Sequence, residues 1–533
     1  MATAGLAKPA RAAICIEAKA SSFSMLLFLP VGILVLSLLA LSASNLQRGF
    51  RSNWILALSG ASLAWLSLLF LRLQLPLELS LPVWWAGEGL EYPATFILDQ
   101  VSWPLAFAAC SLLVASLLTR VREAMSAPWF SWAPSLAVTA GGLLAISAGD
   151  PLTFLFTWTL LDLLVFARLL SQPRGAEQQL AVLQKIPISL LSTVLLFAAW
   201  LLAFYGQALT SVLIFISATL RLGLLTPNLR WGTSIAADQN ATTILLLIPL
   251  APSLVLLART NALAEPLRSS LLLLILLPAA YAAAKWFLTT GDGENDFWNI
   301  GMASLVAGAA LSGQAQAAVA FALALLLGRG LIPFVQQFQR ARLLPAAAAM
   351  CLLSGFPLTA TYQGGAIYTN WGSTFVFAFL AVQAAMLAGW LRHALQHPPE
   401  PLQPEPWMRT IQWLGIVLLP LVFIFFGFGL LPSFVQDAAS IPLWPAIVVL
   451  AGLAIFFIIA RWLRPKPAPR VQLALDWIFS LRWLLVIGAL FSRALSWLLS
   501  FLSSLLEGQA GVLWALLFVA ILLSLAAQYG LGS

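Results

Sequence analysis

The chain has 533 residues, of which 61% are hydrophobic and 9% charged, where an ordinary soluble domain carries about a quarter charged residues. That apolar excess excludes a water-soluble core. The net charge of +8 is dispersed among the loops and forms no basic helix face, which excludes nucleic-acid binding and points to positive loops on a membrane protein.

A bilayer crossing takes about 20 apolar residues, so this length has room for about fifteen crossings. Residues 1–24 form an N-terminal extension carrying Lys8, Arg11 and Lys19. Two readings of it stay open: the basic flank of a retained first helix opening at Met25, or a start upstream of the true one. No A-x-A cleavage site follows the run from Met25 to Leu41.

Apolar segments bounded by charge, Pro or Gly predict helices over 25–44, 54–75, 95–118, 129–148, 151–170, 186–205, 208–227, 242–258, 268–290, 298–313, 316–335, 343–368, 371–395, 411–431, 441–463, 472–503 and 511–529. The fold class is therefore all-α, a polytopic transmembrane bundle of about 14–17 helices. Arg482 and Arg493 interrupt the segment 472–503, so part of it is expected to lie along the surface. The Pro-rich segment HPPEPLQPEPW reads as a linker over 397–410. It separates a main bundle, 25–396, from C-terminal helices, 411–533.

Cytoplasmic loops retain Lys and Arg near helix ends. With the acidic loop of Glu78, Glu88 and Glu91 outside, alternation puts nineteen basic residues inside and six outside, the six being Lys8, Arg11, Lys19, Arg72, Arg259 and Arg268. Cys15, Cys110 and Cys351 lie far apart and read as apolar fillers. His393 and His397 border the linker and are expected to be solvated. The 22 Trp fall mostly near span ends, as in interfacial belts.

The segment GDPLTFLFTWTLLDLL, Gly149 to Leu164, resembles the fourth-to-fifth helix junction of the antiporter-like subunits of respiratory complex I (NADH:quinone oxidoreductase) and of Mrp-type cation/proton antiporters. In that family a short acidic turn precedes a helix with a Trp-Glu pair. Four further matches follow in the same order. Lys185 in VLQKIPISLLS is similar to the Lys opening the family's sixth helix, and Pro227 with Trp231 in TPNLRW to its P-F-H-x-W turn. LLAR ending at Arg259 resembles the end of the eighth helix. LPAAAAMCLLSGFPLTATYQGG, Leu344 to Gly365, resembles the M-P... L-A-G-x-P-P-x-x-G-F stretch.

The resemblance implies two inverted five-helix repeats, near helices 4–8 and 9–13, with a broken helix near Arg221 to Pro227. It also implies a row of buried ionisable residues: a Glu on the fifth helix, a Lys on the seventh, a Lys or His on the eighth, and a Lys or Glu on the twelfth. The aligned positions here hold Thr159, Leu222, Leu245 and Ala251, none of which carries a releasable proton. No Lys or Glu lies between Ala303 and Gln396.

Ionisable residues inside a span are costly and mark functional sites by default. Asp162 stands three residues after Thr159 and reads either as a displaced proton carrier or partner of a buried Arg, or as a hydrogen-bonded Asp near a kink. Arg221 either pairs with Asp162 or snorkels to the headgroups. Lys285 and Arg329 are the remaining pathway candidates, with interfacial anchoring as the alternative. Arg329 between two glycines also allows a broken helix.

No Walker loop, G-x-S-x-G, G-x-G-x-x-G or metal-ligand spacing is present, so no cofactor, metal or catalytic activity is expected of the isolated chain. The expected role is a membrane subunit of a complex I-like or Mrp-like proton/cation-translocating assembly, structural or coupling because most relay positions are replaced. Its partners would be other membrane subunits and the lipid bilayer, in the cytoplasmic membrane of a bacterium. The alternatives are an active secondary cation/proton transporter rearranged around Asp162 and Arg221, and a membrane scaffold.

Overall fold

The computed structural model describes residues 25–44, 53–81, 86–87, 90–91, 93–123, 127–171, 185–203, 207–225, 247–260, 265–288, 295–337, 343–357, 359–369, 373–395, 405–427 and 441–463, with isolated positions at 493, 496–497, 500 and 519–520. Cys15, Leu229, Leu245 and His397 lie outside the described residues, as do the N-terminal extension and most of 472–529. The chain divides into two compact units, Met1–Ala468 and Pro469–Ser533. Every element named below belongs to the first.

The helices are α1 (Leu29–Ser44), α2 (Asn53–Leu71), α3 (Ser102–Thr119), α4 (Ala133–Ser147), α5 (Pro151–Ser171), α6 (Lys185–Leu202), α7 (Gln207–Arg221) and α8 (Ala251–Ala258). They continue with α9 (Glu265–Leu288), α10 (Asn295–Leu311), α11 (Ala315–Gly328), α12 (Leu331–Gln337), α13 (Leu343–Leu353), α14 (Ser373–Leu395), α15 (Pro406–Gly427) and α16 (Trp444–Leu463). Among the described residues nine helices are long and apolar enough to cross a membrane. The molecule is thus an all-α polytopic bundle and an integral membrane protein. In lipid every backbone amide must be satisfied within its own segment, which is why uninterrupted apolar runs become helices.

Several predicted helix boundaries are corrected: the helix expected over 316–335 breaks between Gly328 and Leu331, and the α-helix expected over 343–368 ends at Leu353. Residues Ala94–Leu98, expected to open the third helix, form strand β4, paired antiparallel with β1 (Leu77–Leu81) in the register Leu79↔Phe96. The two-residue strands β2 (Ala86–Gly87) and β3 (Leu90–Glu91) pair between them. Burial alternates along β1, with Leu77 and Leu79 covered and Glu78 and Ser80 exposed, the period of a half-buried strand. A five-residue apolar run is too short to distinguish strand from helix locally; the pairing partner decides.

The core is built on α3, α8 and α11. Every residue from Ala317 to Gly328 of α11 is buried, and so is every residue of α8. Close approach rests on small residues. A Cβ on Gly415 of α15 would stand 2.7 Å from Leu118 Cβ and 2.9 Å from the Ala115 carbonyl of α3. The helix α15 begins at Pro406, within the segment expected to be linker, and packs against α3.

Several tryptophans near helix ends are packed inside the bundle. Trp103, Trp132, Trp158, Trp286, Trp298 and Trp390 are fully buried. Indole N–H groups bridge helices by donating to backbone carbonyls: Trp54 to Leu117 at 2.8 Å, Trp103 to Leu68 at 2.7 Å and Trp286 to Met386 at 3.0 Å. Trp298 donates to Leu325 at 3.2 Å and Trp390 to Gly328 at 2.9 Å, so two indoles cap carbonyls in the last turn of α11. His393, expected to be solvated, lies in the last turn of α14, its ring stacked 4.0 Å from that of Trp286. The polar tip of α14 is thereby folded onto α9.

Candidate functional site

Asp150 begins the arrangement by capping α5. Its Oδ1 accepts the Thr153 amide at 2.9 Å, and its Oδ2 accepts the Thr95 amide at 3.0 Å and the Thr95 hydroxyl at 2.7 Å. The cap fixes where α5 starts against β4. Asp162, twelve residues after Asp150, then lies about 18 Å along the helix axis, near the middle of a span.

The helix α7 stops at Arg221 through its own backbone chemistry. Gly223 adopts φ +78°, the Leu224 amide donates to Thr219 at 3.0 Å and the Gly223 amide to Leu220 at 3.1 Å. This is a Schellman termination, for which a residue in the left-handed region is required and glycine is the least costly choice. The helix therefore ends just before Gly223, within the segment where a broken helix is expected; Pro227 lies outside the described residues.

Arg221 forms an ion pair with Asp162, the two side chains being 3% and 17% exposed. The guanidinium carbon also lies 4.1 Å from the ring centroid of Trp158, one helical turn before Asp162 on the same face of α5. Between α6 and α7, Ser192 and Ser217 lock the helices reciprocally. The Ser217 hydroxyl donates to the Ser192 carbonyl at 2.8 Å and the Ser192 hydroxyl to the Ser217 carbonyl at 3.1 Å. Ser217 stands one turn before Arg221, so this lock holds the guanidinium over its partners.

The aligned family positions are placed differently. Thr159 is exposed on the outer face of α5, its hydroxyl donating back to the Leu155 carbonyl at 2.7 Å. Leu222 and Ala251 are buried. Lys285 is half-buried with Nζ 5.6 Å from the Tyr281 ring centroid. Arg329 sits at the joint between α11 and α12, where it feels the charge of Asp296 in the first turn of α10. Lys285 and Arg329 are not part of the Asp162–Arg221 pair. Asp296, which is buried beside the also buried Asn299, escaped the sequence reading because the tenth helix was expected to start at 298.

A second polar cluster ties one end of the bundle together. Arg259, which ends α8, donates to the Ala148 carbonyl at 2.6 Å, to the Ile97 carbonyl at 3.2 Å and to Asp99 Oδ1 at 3.2 Å. Asp99 Oδ1 also accepts the amides of Val101 at 3.1 Å and Ser102 at 2.8 Å. Burial pushes the Asp99 carboxyl up, but the Arg259 charge and the Ser102 hydrogen bonds outweigh it and hold the pKa below the ordinary value. The spacing D-x-x-S before an apolar run was the available signal for this cap.

Among the described residues no group of three or more His, Cys, Asp or Glu comes together to hold a metal. An Asp–Arg pair can orient dipoles and neutralise charge. It cannot hand on a proton, because arginine does not deprotonate in proteins.

Against solved structures, the chain matches one from the membrane-bound sulfane sulfur reductase, an archaeal respiratory membrane complex, with TM-score 0.62 and 16% identity, covering 92% of this chain and 99% of that one. It matches a chain of respiratory complex I from Thermus thermophilus with TM-score 0.53 and 22% identity, covering 76% and 98%. The chain shares its fold with chains of these respiratory membrane complexes. A chain of the Mrp complex from Dietzia sp. DQ12-45-1b shares this fold with TM-score 0.62 and 14% identity, covering 96% of this chain and 63% of that one. No family model and no curated protein matches the sequence.

Proposed function

We propose that the chain is a membrane subunit of a complex I-like or Mrp-like proton/cation-translocating assembly, and that it supports or couples the assembly without itself carrying protons. The antiporter-like fold supports the first part. The second rests on the polar centre: where a relay needs groups that take up and release protons, Arg221 is a permanent cation tied to Asp162, and Leu222 and Ala251 are buried and apolar. Thr159, exposed on the outer face, offers no acid to replace the family's Glu. Other membrane subunits are its partners on this reading, in a bacterial cytoplasmic membrane. The two five-helix halves, α4 to α8 and α9 to α14 with α11 and α12 counted as one broken helix, are further proposed to be inverted repeats, which an experimental structure would test by superposition after a half-turn in the membrane plane.

The functional test is reconstitution of the purified full chain in liposomes containing a pH-sensitive dye. No cation-dependent proton flux is expected. The exposed fraction of Asp162 favours one competing reading, a transporter rearranged around Asp162 and Arg221. Flux that disappears in Asp162→Asn would establish that reading in place of ours. Mass spectrometry of the native complex would identify the neighbouring subunits.

A further inference from the structure

The Asp162–Arg221 pair has an asymmetry that bears on how the site is silenced. Arg221 is held from three directions: by Asp162, by the face of Trp158 and by the Ser192–Ser217 lock one turn away. Among the described residues, Arg221 is the cation that balances the charge of Asp162. Of the elements packed against α5, α4 (Ala133–Ser147) and β4 (Ala94–Leu98) carry no ionisable side chain. α6 contributes Lys185 at its first residue, near the far end of α5, and α7 contributes Arg221. Arg168 of α5 itself lies in the last turn. Asp162 stands nine residues before Ser171, about 14 Å along the axis from that end. One guanidinium is thus the counter-charge within direct contact.

A carboxylate in apolar surroundings that loses its counter-ion does not stay ionised; it takes a proton, with shifts of up to about 3–5 pKa units documented for buried acids. We propose that Arg221 is an electrostatic lock on a latent proton-binding acid, and that removing the guanidinium converts Asp162 into a protonated, reactive carboxyl group inside the membrane. This rests on the non-conducting reading above and deepens it: the chain is silent because the acid is occupied by a cation that never leaves. Asp162 keeps 17% of its side chain exposed, so a small apolar reagent dissolved in the bilayer has a route to it.

A hydrophobic carbodiimide reads the proton directly. The reaction consumes the carboxyl proton: it moves to one carbodiimide nitrogen while the carboxyl oxygen bonds to the central carbon. The resulting O-acylisourea rearranges to a stable N-acylurea with no leaving group. An ionised, Arg-paired carboxylate lacks that proton and does not react.

The experiment labels full-length protein in membranes with dicyclohexylcarbodiimide from about pH 5 to about pH 9 and locates adducts by mass spectrometry. Wild type should remain unlabelled at Asp162, while Arg221→Gln and Arg221→Met should be labelled at least about tenfold more at neutral pH. The doubly substituted D162N/R221Q chain should lose the adduct. Labelling of wild type equal to that of the variants overturns the lock, as does failure of variants that elute as folded protein to react. If neither variant folds, the wild-type profile still decides, because Asp162 labelling at neutral pH in an intact pair contradicts the proposal. Protection of the variants by sodium ions would show a cation site in place of a proton site and also overturn it. Cation-dependent flux in wild-type liposomes would defeat the non-conducting reading; silent wild type with unlabelled variants would defeat the lock alone.

Discussion

The guanidinium of Arg259 and the carbonyl of Ala148, 111 residues apart in the chain, meet at 2.6 Å. The same guanidinium reaches the Ile97 carbonyl and the Asp99 carboxylate, so one side chain joins the end of α8, the α4–α5 turn and the hairpin strand β4. Arg259→Ala would remove the donor to the Ala148 carbonyl and one donor each from the Ile97 carbonyl, which keeps the Ser102 hydroxyl, and from Asp99, which keeps the amides of Val101 and Ser102. Hydrogen bonds to charged groups contribute about 1.5–3 kcal/mol each and are not additive, so a loss of roughly 3 kcal/mol is expected. Thermal unfolding in detergent checks it, with the exposed Arg409→Ala as a control expected to change stability by less than about 0.5 kcal/mol.

Asp99 sets the acid limit of this end of the bundle. Its pKa is held below the unfolded value, near 3.9. Its stabilising contribution is therefore fully present above about pH 4 and is lost as the pH falls through the depressed folded value. Melting temperature should show no pH dependence from Asp99 between about pH 7 and about pH 5, where its contribution is complete, and an acid-side decline below about pH 4. Asp99→Asn should flatten that decline; an unchanged acid limb in the variant would contradict the assignment.

Gly149 lies where the α4–α5 turn meets β4, and its amide donates to the Thr95 carbonyl at 2.8 Å. A Cβ there would stand 2.8 Å from Thr95 Oγ1 and 2.9 Å from Ile97 Cδ1. Gly149→Ala should destabilise by about 1–3 kcal/mol through overpacking. Gly32 in α1 has nothing within 4 Å of the same position, so Gly32→Ala should be neutral or stabilise by up to about 1 kcal/mol. Parallel melts of the two variants separate crowding from a general effect of removing glycine.

The indole caps on α11 make a further test. Trp298→Phe and Trp390→Phe keep the aromatic ring but remove the donors to Leu325 and Gly328. Each should cost about 1–3 kcal/mol for a buried carbonyl left unsatisfied. Trp407→Phe, at an exposed position, should cost far less. Equal losses at all three sites would mean that ring packing, not the N–H group, carries the effect.

Composition and apolar run length determined that this chain lives in a bilayer and where most of its helices run, because a span must satisfy its own backbone and 20 apolar residues declare themselves locally. The same local logic exposed Asp162 and Arg221 as ionisable residues in apolar surroundings and Gly223 as a weak point in α7. Ala94–Leu98 could not be read that way, since its strand conformation depends on Leu77–Leu81 across a turn. The contact of Arg221 with both Asp162 and Trp158, the clasp of Arg259 on Ala148 and the burial of Trp298 and Trp390 against α11 were likewise tertiary decisions. Each joins helices far apart in the chain, and in a sequence dominated by Leu, Ala and Gly the periodicity of one helix does not state which neighbour it will face. Only the packed bundle decides whether a buried charge meets its counter-ion or lipid.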